Sequence, residues 1–167
     1  EYNADEAWDG LAVSAVNAGV GIIRVYLGTQ WNSGPPGDNE FYALDFDIAS
    51  QKFGALKDSH NVEESVYDIA LHTSGNFAYL ATGFDTKELL ILNVASSFDI
   101  KEADSYDMPN DARGVDYNNG IVYSVTPNTG TANDFFVIDV TAGGALDETW
   151  SPSALQSFYD DPGSAAN

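Results

Sequence analysis

The sequence predicts an all-β, propeller-like fold of about three four-stranded antiparallel blades, a reading that rests on a repeat, on strand-type patterning and on the absence of helical periodicity. Three segments align: EFYALDFDIA (40 to 49), ELLILNVASS (88 to 97) and DFFVIDVTAG (134 to 143). Each runs from an acidic residue through four mainly apolar ones to Asp45, Asn93 or Asp139, positions 48 and 46 residues apart. Upstream lie GIIRVYLGT (21 to 29), GNFAYLATG (75 to 83) and NGIVYSVTP (119 to 127), which alternate and are rich in β-branched and aromatic residues. No segment of useful length carries a capped apolar stripe of period 3.6, so a helical array of similar repeat length is not expected.

Each unit supplies two further strands. LAVSAVN (11 to 17), VYDIALH (66 to 72) and ARGVDYN (112 to 118) come first, joined to the second strand by turns rich in Asn, Ser and Gly that supply positive φ. KFGALKD (52 to 58), DIKEADSYD (99 to 107) and ALDETWS (145 to 151) come last. The chain of 167 residues is therefore one domain, with units at about 11–58, 66–107 and 112–151 and a tail over 152–167. The apolar run LLILNV (89 to 94) reads as a third strand buried on both faces between neighbouring blades.

SYDMPNDARGVDYNNGIVYSVT followed by DFFVIDVT, and YLATGFDTKELLILNVASSFDI before them, resemble the LVIVD repeat of bacterial and archaeal surface or secreted β-propellers. The resemblance covers roughly residues 11 to 150, and the first unit departs from it by the insertion TQWNSGPPGDN. It implies a propeller fold and an extracellular or cell-surface location. Its motif is apolar and structural, so it implies no activity. Propellers have about 4 to 8 blades, and the three units read from this sequence form an open arc. Exposed blade faces and strand edges are then expected to be capped by self-association or by further sequence.

Six Lys and Arg against 26 Asp and Glu give a formal charge of −20 and an isoelectric point near 4.1. Such a chain repels phosphate, which excludes nucleic acid and disfavours anionic membranes. With 44% hydrophobic residues the acidity is not that of a disordered chain. There is no Cys, hence no disulfide or thiolate chemistry. No stretch reaches the roughly 18 apolar residues of a membrane span, and a start at Glu1 without Met suggests a processed or excised segment.

Candidate site residues follow from chemistry. Asp104, Asp107, Asn110 and Asp111 supply closely spaced oxygens and are the candidate Ca²⁺ ligands, although no EF-hand pattern is present and acidic clusters arise from composition alone. Arg113 falls in a first strand, expected to line the channel, where it either binds an acidic ligand or pairs with Asp68 or Asp116. Arg24 is expected to pair with a local acid. Trp31, in the inserted loop, is either a contact residue for protein or sugar or a plug folded onto the blade. His60 and His72 lack metal-ligand spacing and read as surface or turn residues. Asp45, Asn93 and Asp139 recur in register and are expected to set turns.

No nucleophile motif or phosphate loop is present. The expected function is a non-catalytic extracellular or surface propeller module for protein interaction or self-assembly, with no cofactor. The alternative is a Ca²⁺- or carbohydrate-binding domain, and a propeller hydrolase or lyase comes third.

Overall fold

A computed structural model describes residues 9–31, 39–96, 98–127, 134–141, 144 and 146, together with the backbone of 157–158. The described residues form three four-stranded antiparallel sheets and no helix. Blade 1 comprises β1 (Gly10–Gly19), β2 (Ile22–Thr29), β3 (Phe41–Asp47) and β4 (Lys52–His60). Blade 2 comprises β5 (Val66–Leu71), β6 (Phe77–Thr82), β7 (Leu89–Asn93) and β8 (Lys101–Tyr106). Blade 3 comprises β9 (Gly114–Asn118), β10 (Ile121–Val125), β11 (Phe135–Asp139) and β12 (Ser157–Phe158). Strands neighbour in chain order within each sheet, and the first strands β1, β5 and β9 lie side by side. This is a propeller-like arrangement whose sheets do not close into a ring.

The registers confirm the repeat residue by residue. Arg24 faces Asp45, Phe77 faces Asn93 and Ile121 faces Asp139, so the three recurrent Asp and Asn positions are structurally equivalent. The turn before β10 is Asn119-Gly120, with φ of 50° and 88°, the left-handed pair that a tight hairpin requires. The last outer strand differs from expectation. Most of 145–151 lies outside the described residues, and the pairing strand is Ser157–Phe158, in the segment expected as a tail, opposite Phe136 and Phe135.

Two apolar cores separate the blades. One joins Ala12, Tyr26, Phe41 and Ala43 of blade 1 to Ile69, Ala78, Leu80, Leu90 and Leu92 of blade 2. The other joins Ala70, Tyr79, Ala81, Leu89 and Ile91 of blade 2 to Val115, Val122, Phe136 and Ile138 of blade 3. Leu89 to Leu92 are buried without exception because alternate residues serve alternate cores. Each blade thus has a leading face toward the blade before it and a trailing face toward the blade after it.

Candidate interaction surface

The carboxylates that a sequence reader would search for chemistry serve the backbone instead. Asp58 accepts the N–H of Ser59 through Oδ1 and that of Ile100, in blade 2, through Oδ2 at 2.7 Å. Asp104 repeats the arrangement with Ser105 and Leu146, and Asp68 with Ile69 and Val115. A register shift beside each of the three strand positions leaves Lys57, Ala103 or Tyr67 unopposed, and the bulge aims the following Asp at the neighbouring blade. One carboxylate therefore ties two blades, with one oxygen for each.

Buried glutamates fix the connections between blades. Glu40, before β3, accepts the N–H groups of Val62 and Glu63 through Oε2, and Glu88, before β7, accepts that of Met108 at 2.7 Å. Both glutamates are 2% exposed. Burial pushes the Glu88 carboxyl above the usual carboxylate range, and the charges of Asp107 and Asp85 add to the shift while the Met108 N–H opposes it. Glu40 and Glu88 are the acidic residues that open the first two third-strand segments of the repeat, and this anchoring is their role.

The predicted ligand residues do not converge. Arg113 pairs with neither Asp68 nor Asp116. Its Nη2 donates to Asp111 Oδ2 at 2.8 Å and its guanidinium lies 3.8 Å from the centre of the Tyr67 ring. The physical reason is that both Asp68 oxygens are engaged by backbone N–H groups, whereas Asp111 stands two residues before Arg113 on the same extended segment. Asp116 is exposed and its Oδ1 accepts the N–H of Tyr117. Asp68 and Asp116 do line one open depression of about 310 Å³ on blade 3, with Tyr123, Val125 and Phe135.

Of the four candidate Ca²⁺ ligands, Asp104 is committed to two N–H donors and Asp111 to Arg113, while Asp107 is exposed and Asn110 half-buried. Among the described residues no group of three or more His, Cys, Asp or Glu is placed to hold a metal. Trp31 is 40% exposed, and its N–H donates to Ser65 Oγ at 2.9 Å, which ties the start of the insertion to the base of blade 2. The rest of the insertion, 32 to 38, lies outside the described residues.

The remaining polar positions are structural. Arg24 Nε donates to Asp45 Oδ1 at 2.9 Å, and Lys57 lies 3.4 Å from Oδ2. Asp45 is therefore an ion-pair partner rather than a turn residue, and only Asn93 makes the expected turn bond, to the N–H of Ala95. His72 follows its strand at a turn as expected but is buried, with its ring tilted at 45° against Tyr117 and bonded to Ser74. His60 lines a cleft of about 230 Å³ between blades 1 and 2, beside the Lys87–Glu102 ion pair. Burial lowers its pKa, partly opposed by the charges of Glu102 and Asp58.

The trailing face of blade 3 repeats the residue pattern of the other two blades. Tyr26, Tyr79 and Tyr123 share one register position, opposite Ala43, Ile91 and Val137. Phe41, Leu89 and Phe135 share the next, opposite Gly28, Ala81 and Val125. In blades 1 and 2 these tyrosines and third-strand residues are buried by the blade that follows. In blade 3 Tyr123, Phe135 and Val137 are half-buried and Val125 is 42% exposed.

No family model and no curated protein matches the chain. Solved structures do. The computationally designed Ika4 protein is 13% identical at a TM-score of 0.54, over 94% of this chain and 89% of its own. The designed Ika8 protein is 15% identical at a TM-score of 0.51, over 91% of this chain and 43% of its own. Hydrazine synthase of Kuenenia stuttgartiensis is 16% identical at a TM-score of 0.50, over 84% of this chain and 40% of its own. The chain thus spans less than half of the latter two. At these identities the likeness concerns the fold alone, which is propeller-like.

Proposed function

We propose that the chain is a non-catalytic β-propeller module of an extracellular or cell-surface protein, of the LVIVD-repeat kind, that acts through protein contact and self-assembly. The observation that carries this reading is the trailing face of blade 3, which repeats in type and register the residues that blades 1 and 2 bury. The use of Asp58, Asp68, Asp104, Glu40 and Glu88 as backbone acceptors supports a structural rather than catalytic role for the acids. Acidity on this scale, −20 for the chain, suits a protein kept from non-specific association until a complementary face is met.

Assembly couples to stability by mass action, so the thermal midpoint should rise with chain concentration. A midpoint constant over a hundredfold range would speak against assembly. A second reading, carbohydrate binding at Trp31, rests on its exposed indole. It predicts quenching or a blue shift of tryptophan emission on adding oligosaccharide, an effect lost in Trp31→Ala.

A further inference from the structure

We propose that the cleft between blades 1 and 2 binds one ring of a neutral saccharide. This site goes beyond the assembly reading and does not use the Trp31 contact. The cleft encloses about 230 Å³, below the roughly 300–1,000 Å³ of sites for drug-sized ligands, so its occupant is a single small unit. Blade 1 supplies His60 from the end of β4, with Asn61 and Glu63 after it, and blade 2 supplies Phe84, Lys87 and Glu102. Val62 and Leu90, 5% and 2% exposed, bring apolar surface to the same lining.

Both walls are held in place by the chain itself. On blade 1, the buried Glu40 accepts the N–H groups of Val62 at 2.9 Å and Glu63 at 3.1 Å through Oε2, and Asn61 Oδ1 accepts that of Glu63 at 2.9 Å. Glu63 is thereby held at φ 66°, a left-handed conformation that residues other than Gly rarely adopt. On blade 2, Lys87 Nζ donates to both Glu102 oxygens, at 2.9 and 2.7 Å, and lies 5.7 Å from the centre of the Phe84 ring. A cleft whose polar groups are already placed costs its ligand little ordering.

Charge decides the class of ligand. An anion would enter a lining that sets Glu63 and Glu102 against Lys87, on a chain of formal charge −20, and is repelled. A free cation would have to displace the ammonium of Lys87, which is tethered beside Glu102 and Phe84 and so competes at high effective concentration. Neutral hydroxyls avoid both penalties. They donate to the remaining lone pairs of Glu102 or Glu63 and accept from Lys87 with the ion pair left intact, and such bonds to charged groups are stronger than neutral ones. Burial holds the His60 imidazole below its ordinary pKa, partly opposed by Glu102 and Asp58, so near neutral pH its ring offers one donor and one acceptor rather than a second positive charge. A pyranose matches this set. Its hydroxyl edge needs donors and acceptors side by side, and its C–H face needs apolar surface, here Phe84 and Leu90.

Amide chemical shifts of the isotope-labelled chain, titrated with D-glucose, D-galactose, D-mannose and N-acetyl-D-glucosamine, test this. The expected result is saturable shifts at residues 60–63, 84–90 and 102 with at least one of the four. Glu102→Gln and Lys87→Met each remove a charged partner from a side chain more than a third exposed, so the fold is kept, and each should weaken that sugar by about tenfold. Lys101→Gln, at an exposed residue paired with Asp99 outside the lining, carries the same charge change as Lys87→Met and should bind as wild type does. Methylammonium and acetate, the charged probes, should give no shifts at the cleft. Shifts there with none of the four sugars would overturn the site, as would sugar affinity that both cleft substitutions leave unchanged. Saturation by methylammonium or acetate instead would overturn the neutral class of ligand. Molar mass enters none of these outcomes, so the assembly reading stands or falls separately.

Discussion

Asp58 in β4 and the backbone of Ile100 in the next blade are joined at 2.7 Å, and 46 residues later Asp104 and Leu146 stand in the same relation. Because each Asp also accepts the N–H of its own successor, both oxygens are in use. Asparagine has one acceptor oxygen, so Asp58→Asn must leave either Ser59 or Ile100 without its partner. The expected cost is about 1–3 kcal/mol, with Asp58→Ala at least as damaging, read as a lower urea midpoint. An unchanged midpoint in both variants would show that the tie contributes nothing to blade docking.

Glu88 gives a pH prediction of one sign. Burial raises its folded-state pKa, so the folded chain binds the proton more tightly than the unfolded one. That contribution is present below the ordinary carboxyl range and is lost as pH rises through the raised value. Glu88→Gln keeps a carbonyl for the Met108 N–H without the charge and should remove this loss between acid and neutral pH. Glu88→Ala strips the acceptor and should cost about 1–3 kcal/mol. Unfolding midpoints measured against pH separate the two variants.

Asp45 gives the opposite sign. Burial alone would raise its pKa, but the hydrogen bond and charge of Arg24, with Lys57, hold it below the usual range. Its stabilising effect is therefore full above the ordinary carboxyl pKa and is lost as pH falls through the depressed value. Asp45→Asn should destabilise at neutral pH and flatten the further loss on acidification. An acid limb identical to wild type would contradict this.

These roles show what the sequence made legible. The equivalence of Asp45, Asn93 and Asp139 could be read because strand patterning is local and repeats; the use of Asp45 could not, because its partners Arg24 and Lys57 are supplied by β2 and β4 on either side of it. The Asp ties were missed although Asp-Ser recurs at 58–59 and 104–105, since the donor lies 42 residues away in another blade. Arg113 was expected to pair with Asp68 because both lie in first-strand segments, but Asp68 had already been claimed by the N–H of Val115. Patterning by period locates strands; which acceptor meets which donor between blades depends on tertiary approach.

Gly28 marks such an approach. A Cβ there would stand 2.6 Å from Val66 Cγ1 and 2.9 Å from its Cβ, so blade 2 is seated directly against the glycine. Gly28→Ala is expected to destabilise by about 1–3 kcal/mol through overpacking, and Val66→Ala added to it should recover part of that loss. A double variant no more stable than Gly28→Ala would place the strain elsewhere.

Sedimentation equilibrium of the unmodified chain across salt tests self-assembly of the propeller module most directly. The expected mass is near one chain at low salt, where copies with a formal charge of −20 repel, and rises above one chain at about 1 M salt. A mass of one chain at every salt and concentration, with the fold intact, would contradict it.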